Sequence, residues 1–149
     1  MKPVDPVQLL DTRALFQRAG HFESGSIVHC ATDLANVAVH KVLGRNSAGW
    51  WECNLTDNAL TWTAGVYDIF GLPLAAPVTR DEAVGFYREE SRAVMERLRS
   101  YAIGHRSGFI LDARIRPATG PRERWMRLVG APVCQDGQVV SLHGLKLII

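Results

Sequence analysis

No apolar run in this sequence approaches the roughly 18 residues needed to cross a bilayer. The opening stretch, MKPVDPVQLLDTRALF, sets two prolines and two aspartates where a secretory signal needs an unbroken apolar core. Together these absences predict a cytoplasmic chain with no membrane partner. Cysteine is scarce: Cys30, Cys53 and Cys134 stand far apart, form no C-x-x-C pair and leave one over in any pairing, so they read as reduced packing residues. Charge of one sign is lacking too. A net charge of +2 is far from the clustered basicity with which nucleic-acid binders neutralise phosphates. G-x-S-x-G, P-loop, H-E-x-x-H, cyclase and kinase motifs are all missing, and none of the five histidines is spaced with another or with a cysteine to hold a metal. Internal repeats and low-complexity tracts are also absent.

What is present is an ordinary globular composition. With 149 residues, 47% of them apolar and 21% charged, the chain is long enough to bury most of its unfolded-state surface in one domain plus an appendage. Asp5-Pro6 suits a helix start and Gly20 an exit, which predicts a short amphipathic helix over 6–19. A second, more apolar helix is predicted from a Ser26 cap to Gly44, with Ile27, Ala31, Leu34, Ala38 and Leu43 on one stripe and Val28, Ala35, Val37 and Val39 widening it. A face that wide suits two neighbours, for instance its own domain and a second copy of the chain; the alternative is a helix that only lids its own domain's core.

From Gly49 the pattern turns extended. WWECNL and ALTWT are aromatic or β-branched runs around a Thr-Asp-Asn turn, followed by a helical turn or two in AGVYDIF that Gly71 and Pro73 stop. Thr79 and Glu82 form a capping box at the head of a longer helix, where Val84, Tyr87, Val94, Leu98 and Tyr101 make the stripe and Gly85 is a candidate break. FILDARIRP, RERWMRLVGAPV and VVSLHGLKLII then read as three strands, the last two joined by an Asp-Gly hairpin. Two strands, helices, then three antiparallel strands is an α+β order, with the helices over one face of a five-stranded sheet. Neighbours on a strand face opposite ways, so if Trp51 points at the helices, Trp50 points to the other face and needs a cover.

The residues Gly49, Trp51, Glu52, Asn54, Leu60, Trp62, Tyr67, Ile69, Phe70, Gly71 and Leu72, followed by Arg114, Ile115, Thr119, Gly120, Arg124, Trp125, Gly130, Pro132, Gly137 and Gly144, resemble the PAS superfamily of sensory domains. The likeness is to the subgroup with W-E-x-D/N in the first strand and R-W in the fourth, and it covers 49–149. It implies the strand order 2-1-5-4-3 and a small-molecule cavity between sheet and helices. Departures are YREES where the subgroup often has His-Pro-x-Asp, and an end at KLII without the usual Asp-Ile-Thr linker.

The resemblance divides the chain into an N-terminal helical extension, 1–48, and a PAS domain, 49–149. Candidate cavity residues are Tyr67, Phe70, Phe86, Tyr101, Ile115 and Leu128; candidate interface residues are Ile27, Leu34, Val39, Leu43 and Trp50. Haem is disfavoured because 80–103 contains no histidine, His105 falls past the helix, and His143 on the last strand is only an alternative. Flavin adduct chemistry is disfavoured because no G-x-N-C-R-F-L-Q run exists. Arg114, Arg116, Arg122, Arg124 and Arg127 gather on one hairpin and read as a solvent face, since Asp112 and Glu123 interleave with them. The function expected is a non-catalytic sensory module that pairs with itself and with a signalling protein or output domain, with an unidentified small ligand in the cavity. The competing readings are a ligand-free dimerisation domain, and a small cone-shaped enzyme or lipid carrier that would draft Asp68 with Tyr67 or Tyr101.

Overall fold

The structure, a computed structural model, describes residues 23–28, 47–120 and 122–149. The strands are β1 (Ser26–Val28), β2 (Ala48–Asn54), β3 (Leu60–Trp62), β4 (Gly108–Ile115), β5 (Arg124–Gln135) and β6 (Gln138–Ile148). Between β3 and β4 come the helices α1 (Ala64–Phe70), α2 (Arg80–Gly85) and α3 (Glu89–His105). The described strands form one antiparallel sheet in the order β1-β4-β5-β6-β2-β3. Counted from β2, its last five members have the expected order 2-1-5-4-3.

The sixth strand corrects the sequence reading. Ser26, expected to cap a helix, begins β1, which pairs with β4 through Ser26↔Ile110, Ile27↔Phe109 and Val28↔Gly108. Two β-branched residues meet the unpaired backbone edge of β4, and that pairing outweighs a helical start. Gly25 turns the chain into the strand at φ 71°, so close to α3 that a Cβ there would stand 2.2 Å from Leu98 Cδ1. The rest of that helix, with Leu34, Val39 and Leu43, lies outside the described residues, as does the one expected over 6–19.

The short helices end where local chemistry says. Gly71, at φ 67°, ends α1, with its N–H donating to Asp68 O and that of Leu72 to Tyr67 O. The Glu82 N–H donates to Thr79 Oγ1 at the head of α2, while the Thr79 hydroxyl donates to Glu82 Oε1. The long helix does break at Gly85, and the break lets Tyr87 bridge to Ile115 of β4. On α3 the buried face is Met95, Leu98 and Ala102. Of the expected stripe, Leu98 is buried and Val94 packs half-buried against the core, while Met95 and Ala102 face inward and Tyr101 does not. The small Ala102 lets the helix close on the sheet, and Tyr101, 40% exposed, stacks on His105 at 3.8 Å instead.

Trp51 organises the helix-facing side of the sheet. Its neighbours in register are Gly144, Gly130 and Phe109, a lane across β6 and β5 without side chains. The indole lies over that lane and donates from Nε1 to Val129 O at 3.2 Å. A Cβ on Gly144 would stand 1.8 Å from Val129 O, a backbone atom that cannot swing away. Gly144→Ala is therefore expected to cost about 3 kcal/mol, read as a lowered urea midpoint. Gly85→Ala, where a Cβ meets nothing within 4 Å, serves as the control and should leave the midpoint nearly unchanged.

The opposite face is also buried. Ala48, Ile110, Val129, Ala131, Leu145 and Leu147 lie on it, and with them Asp112 and Arg127, which form a bidentate pair at 2.7 and 2.9 Å. The arginine hairpin is thus not uniformly a solvent face, because alternation assigns a side chain to a face without saying whether that face is wet. Arg114, exposed, lies 5.0 Å over Trp125, and Arg124 caps the end of α1 through Ile69 O at 3.3 Å. Trp50 is half-buried on this side, edge-on to His143 at 4.8 Å. No helix among the described residues is long and apolar enough to cross a membrane.

Candidate ligand site around a buried lysine

Directly opposite Leu128 in the sheet, on the helix-facing side of β6, stands Lys146. It is only 6% exposed. Its Nζ lies 4.9 Å from the Phe70 ring centre, 5.4 Å from that of Trp51, and 5.7 Å from those of Trp62 and Tyr87. Such rings attract a cation through their faces. The hydroxyl of Tyr87 is 3.2 Å from Nζ. Among the described residues no carboxylate pairs with this lysine.

Burial without a counter-charge disfavours the ammonium and pulls the Lys146 pKa from 10.5 to about 7, with Cys53 acting in the opposite sense. The Tyr87 phenol moves the other way. Burial first, and the nearby Glu96 second, hold its proton far above the ordinary range, while Arg80 opposes them. The pair is thus an amine that gives up its proton far more readily than an ordinary lysine, beside a phenol that stays protonated.

A cavity of about 60 Å³ adjoins the pair. Trp51, Cys53, Trp62, Met95 and Leu142 are among its walls, and Arg80 and Arg99 also border it. Arg80 pairs with Glu96, and Arg99 donates to Asn58 Oδ1 at 3.5 Å.

Of the cavity residues expected from the sequence, Leu128 lines this space and Phe70 lies against the lysine. Tyr67 and Phe86 belong to the surrounding aromatic cluster: Tyr67 meets Trp62 edge-on at 5.2 Å and Phe86 meets Phe70 at 5.6 Å. Ile115 is fully buried in the same core. Tyr101 stands outside it, exposed, for the reason given above. Ile27 packs against the edge of this core, rather than presenting a helical stripe. His105, expected past the helix, is instead the last residue of α3, where its ring lies 3.1 Å from Tyr101 O one turn back, and His143 lies on the far face of the sheet beside Trp50. Asp68 is exposed and accepts from Ser47 Oγ. No cluster able to hold a metal occurs among the described residues.

Sequence reasoning missed Lys146 and Tyr87 as a pair. The signal was faint but present: one lysine inside GLKLII, a strand apolar on both faces.

Structural comparison agrees with the strand order. An RNA-binding light-oxygen-voltage receptor superposes with a TM-score of 0.60 at 9% identity over 68% of this chain, and the chain spans 29% of that receptor's length. A sensory box histidine kinase/response regulator from Burkholderia thailandensis E264 gives 0.59 at 20% identity, covering 69% of this chain and 77% of that one. The N-terminal domain of a diguanylate cyclase with PAS/PAC sensor from Marinobacter aquaeolei gives 0.61 at 18% identity, covering 68% and 94%. The chain has the PAS fold. No protein-family model matches the sequence, and no curated protein matches it. Within the PAS fold, the space between sheet and helices is the one that Lys146 and Tyr87 border here.

Proposed function

We propose that this PAS-fold chain is a non-catalytic sensory module. It takes a small ligand beside Lys146 and passes on occupancy by changing its association with a second copy or a signalling partner. One observation carries the reading: an apolar cavity between sheet and helices with a buried amine and a phenol converging on it. Small-molecule sites orient their ligands in this way, with a few polar atoms among apolar walls. Relatives in fold that are named for a histidine kinase and a diguanylate cyclase support the signalling half. The space, about 60 Å³, suits a ligand of a few heavy atoms.

Signal transfer requires that the ligand favour one arrangement of sheet and helices over another, since equal affinity for both shifts nothing. The test is ligand-observed NMR with a panel of small aliphatic alcohols, aldehydes and acids, followed by light scattering with and without each binder. A true ligand at a hundred times its Kd should stabilise the fold by about 2.7 kcal/mol and change the association state. Absence of saturable binding across the panel, or binding that leaves association unchanged, would sink the sensory reading.

A further inference from the structure

We infer that the ligand is a small aliphatic aldehyde, captured covalently as an imine on Lys146 Nζ. This rests on the ligand-binding reading above and names the ligand's chemistry. Three features converge on it. The first is that Nζ borders the cavity with the Tyr87 hydroxyl as its hydrogen-bond partner and no carboxylate paired with it among the described residues. A lysine so desolvated loses its proton readily, and the neutral amine is the nucleophile. Burial lowering its pKa to about 7 leaves comparable amounts of both forms at neutral pH.

The second feature is the phenol of Tyr87, 3.2 Å from Nζ and placed to exchange a proton with a group bound there. The Nζ lone pair forms the C–N bond as the carbonyl π electrons move to oxygen, and one N–H proton passes to that oxygen to give a carbinolamine. Tyr87 then donates its proton as the C–O bond breaks and water leaves. The nitrogen lone pair forms C=N, and the remaining N–H proton returns to the Tyr87 oxygen. The sum is aldehyde plus amine giving imine plus water, with no oxidant or reductant required.

The third feature is the wall. Trp51, Trp62, Met95 and Leu142 offer an apolar lining to an alkyl tail. The aromatic rings around Nζ, at 4.9 to 5.7 Å, add apolar surface beside the amine.

The chain has only three lysines, Lys2, Lys41 and Lys146, so the test is clean. The full chain is incubated with butanal and sodium cyanoborohydride at pH 7, digested, and each lysine peptide is followed by mass spectrometry. Lys146 is expected to gain a single butyl group about tenfold faster or more than Lys2 or Lys41, because far more of its amine is neutral. Tyr87→Phe is expected to slow that labelling by about a hundredfold, and the binding of butan-1-ol, a non-covalent probe, is measured on the parent chain by NMR. Equal labelling of all three lysines, or none at Lys146, overturns the imine. If butan-1-ol still binds in that case, the ligand reading survives alone; if it does not, both readings fall.

Discussion

Lys146→Met is expected to raise stability by several kcal/mol at pH 6, and the gain over the parent chain should fade as the pH climbs from 7 towards 10.5. The effect originates in the parent. Its lysine has a pKa of about 7 when folded against 10.5 ordinarily. Between those values the unfolded chain holds a proton that the folded chain has released, so parent stability rises with pH across that window. Below pH 7 both states are protonated and the full cost of burying an ammonium is present. At about 1.4 kcal/mol for each tenfold change in proton affinity, the whole window is worth on the order of 5 kcal/mol. Methionine fills a similar volume and does not titrate. It deprives the Tyr87 hydroxyl of its amine partner, which takes back about 1–3 kcal/mol at every pH. Urea unfolding of both chains at pH 6, 7, 8, 9 and 10 checks this, since other titrating groups cancel in the difference. Parallel profiles would show that the lysine is not desolvated as described.

Asp112→Ala is expected to cost about 3–5 kcal/mol, enough to unfold a large fraction of a marginally stable domain. The carboxylate accepts two hydrogen bonds from Arg127, at 2.7 and 2.9 Å, and both side chains are almost wholly buried. Removing one member leaves the other charge desolvated without its counter-charge. Arg127→Met should be similarly damaging. The double replacement Asp112→Leu with Arg127→Met should be much milder than the sum, because it removes both desolvation penalties together with the attraction. A thermodynamic cycle from chemical denaturation tests this, and strictly additive losses would mean that the pair is not coupled.

The sequence made much of the local structure legible. Asp136-Gly137 marked a hairpin, and both residues adopt positive φ, at 50° and 77°, as the tight two-residue turn requires. Thr79 marked a helix start and Gly85 a break, since both act through their own backbone or nearest turn. The order of five strands was legible only through resemblance, because strand partners in register such as Trp51 and Gly144 are far apart in the chain. β1 escaped for the same reason: three residues carry too little pattern, and what makes them a strand is the edge of β4.

The site was harder to read than the fold. A polar residue in an alternating strand is assigned to solvent by default, and Lys146, Asp112 and Arg127 all break that default. They do so because both faces of the central strands are buried, a property of the assembled layers rather than of any short segment. The stripe on α3 held at Val94 and Leu98 and failed at Tyr101, because the space above the sheet takes the small Ala102 instead.

Much of the outer edge of β4 is occupied. β1 takes Gly108 to Ile110, and further along the Arg88 N–H donates to Arg114 O, the Arg116 N–H to Phe86 O, and the Arg114 N–H to Ser91 Oγ. At the far side of the sheet, β3 offers only three residues. Among the described residues, then, the sheet presents little template for a stray strand to zip onto, and ribbon-like growth from one molecule to the next has no long rail to follow.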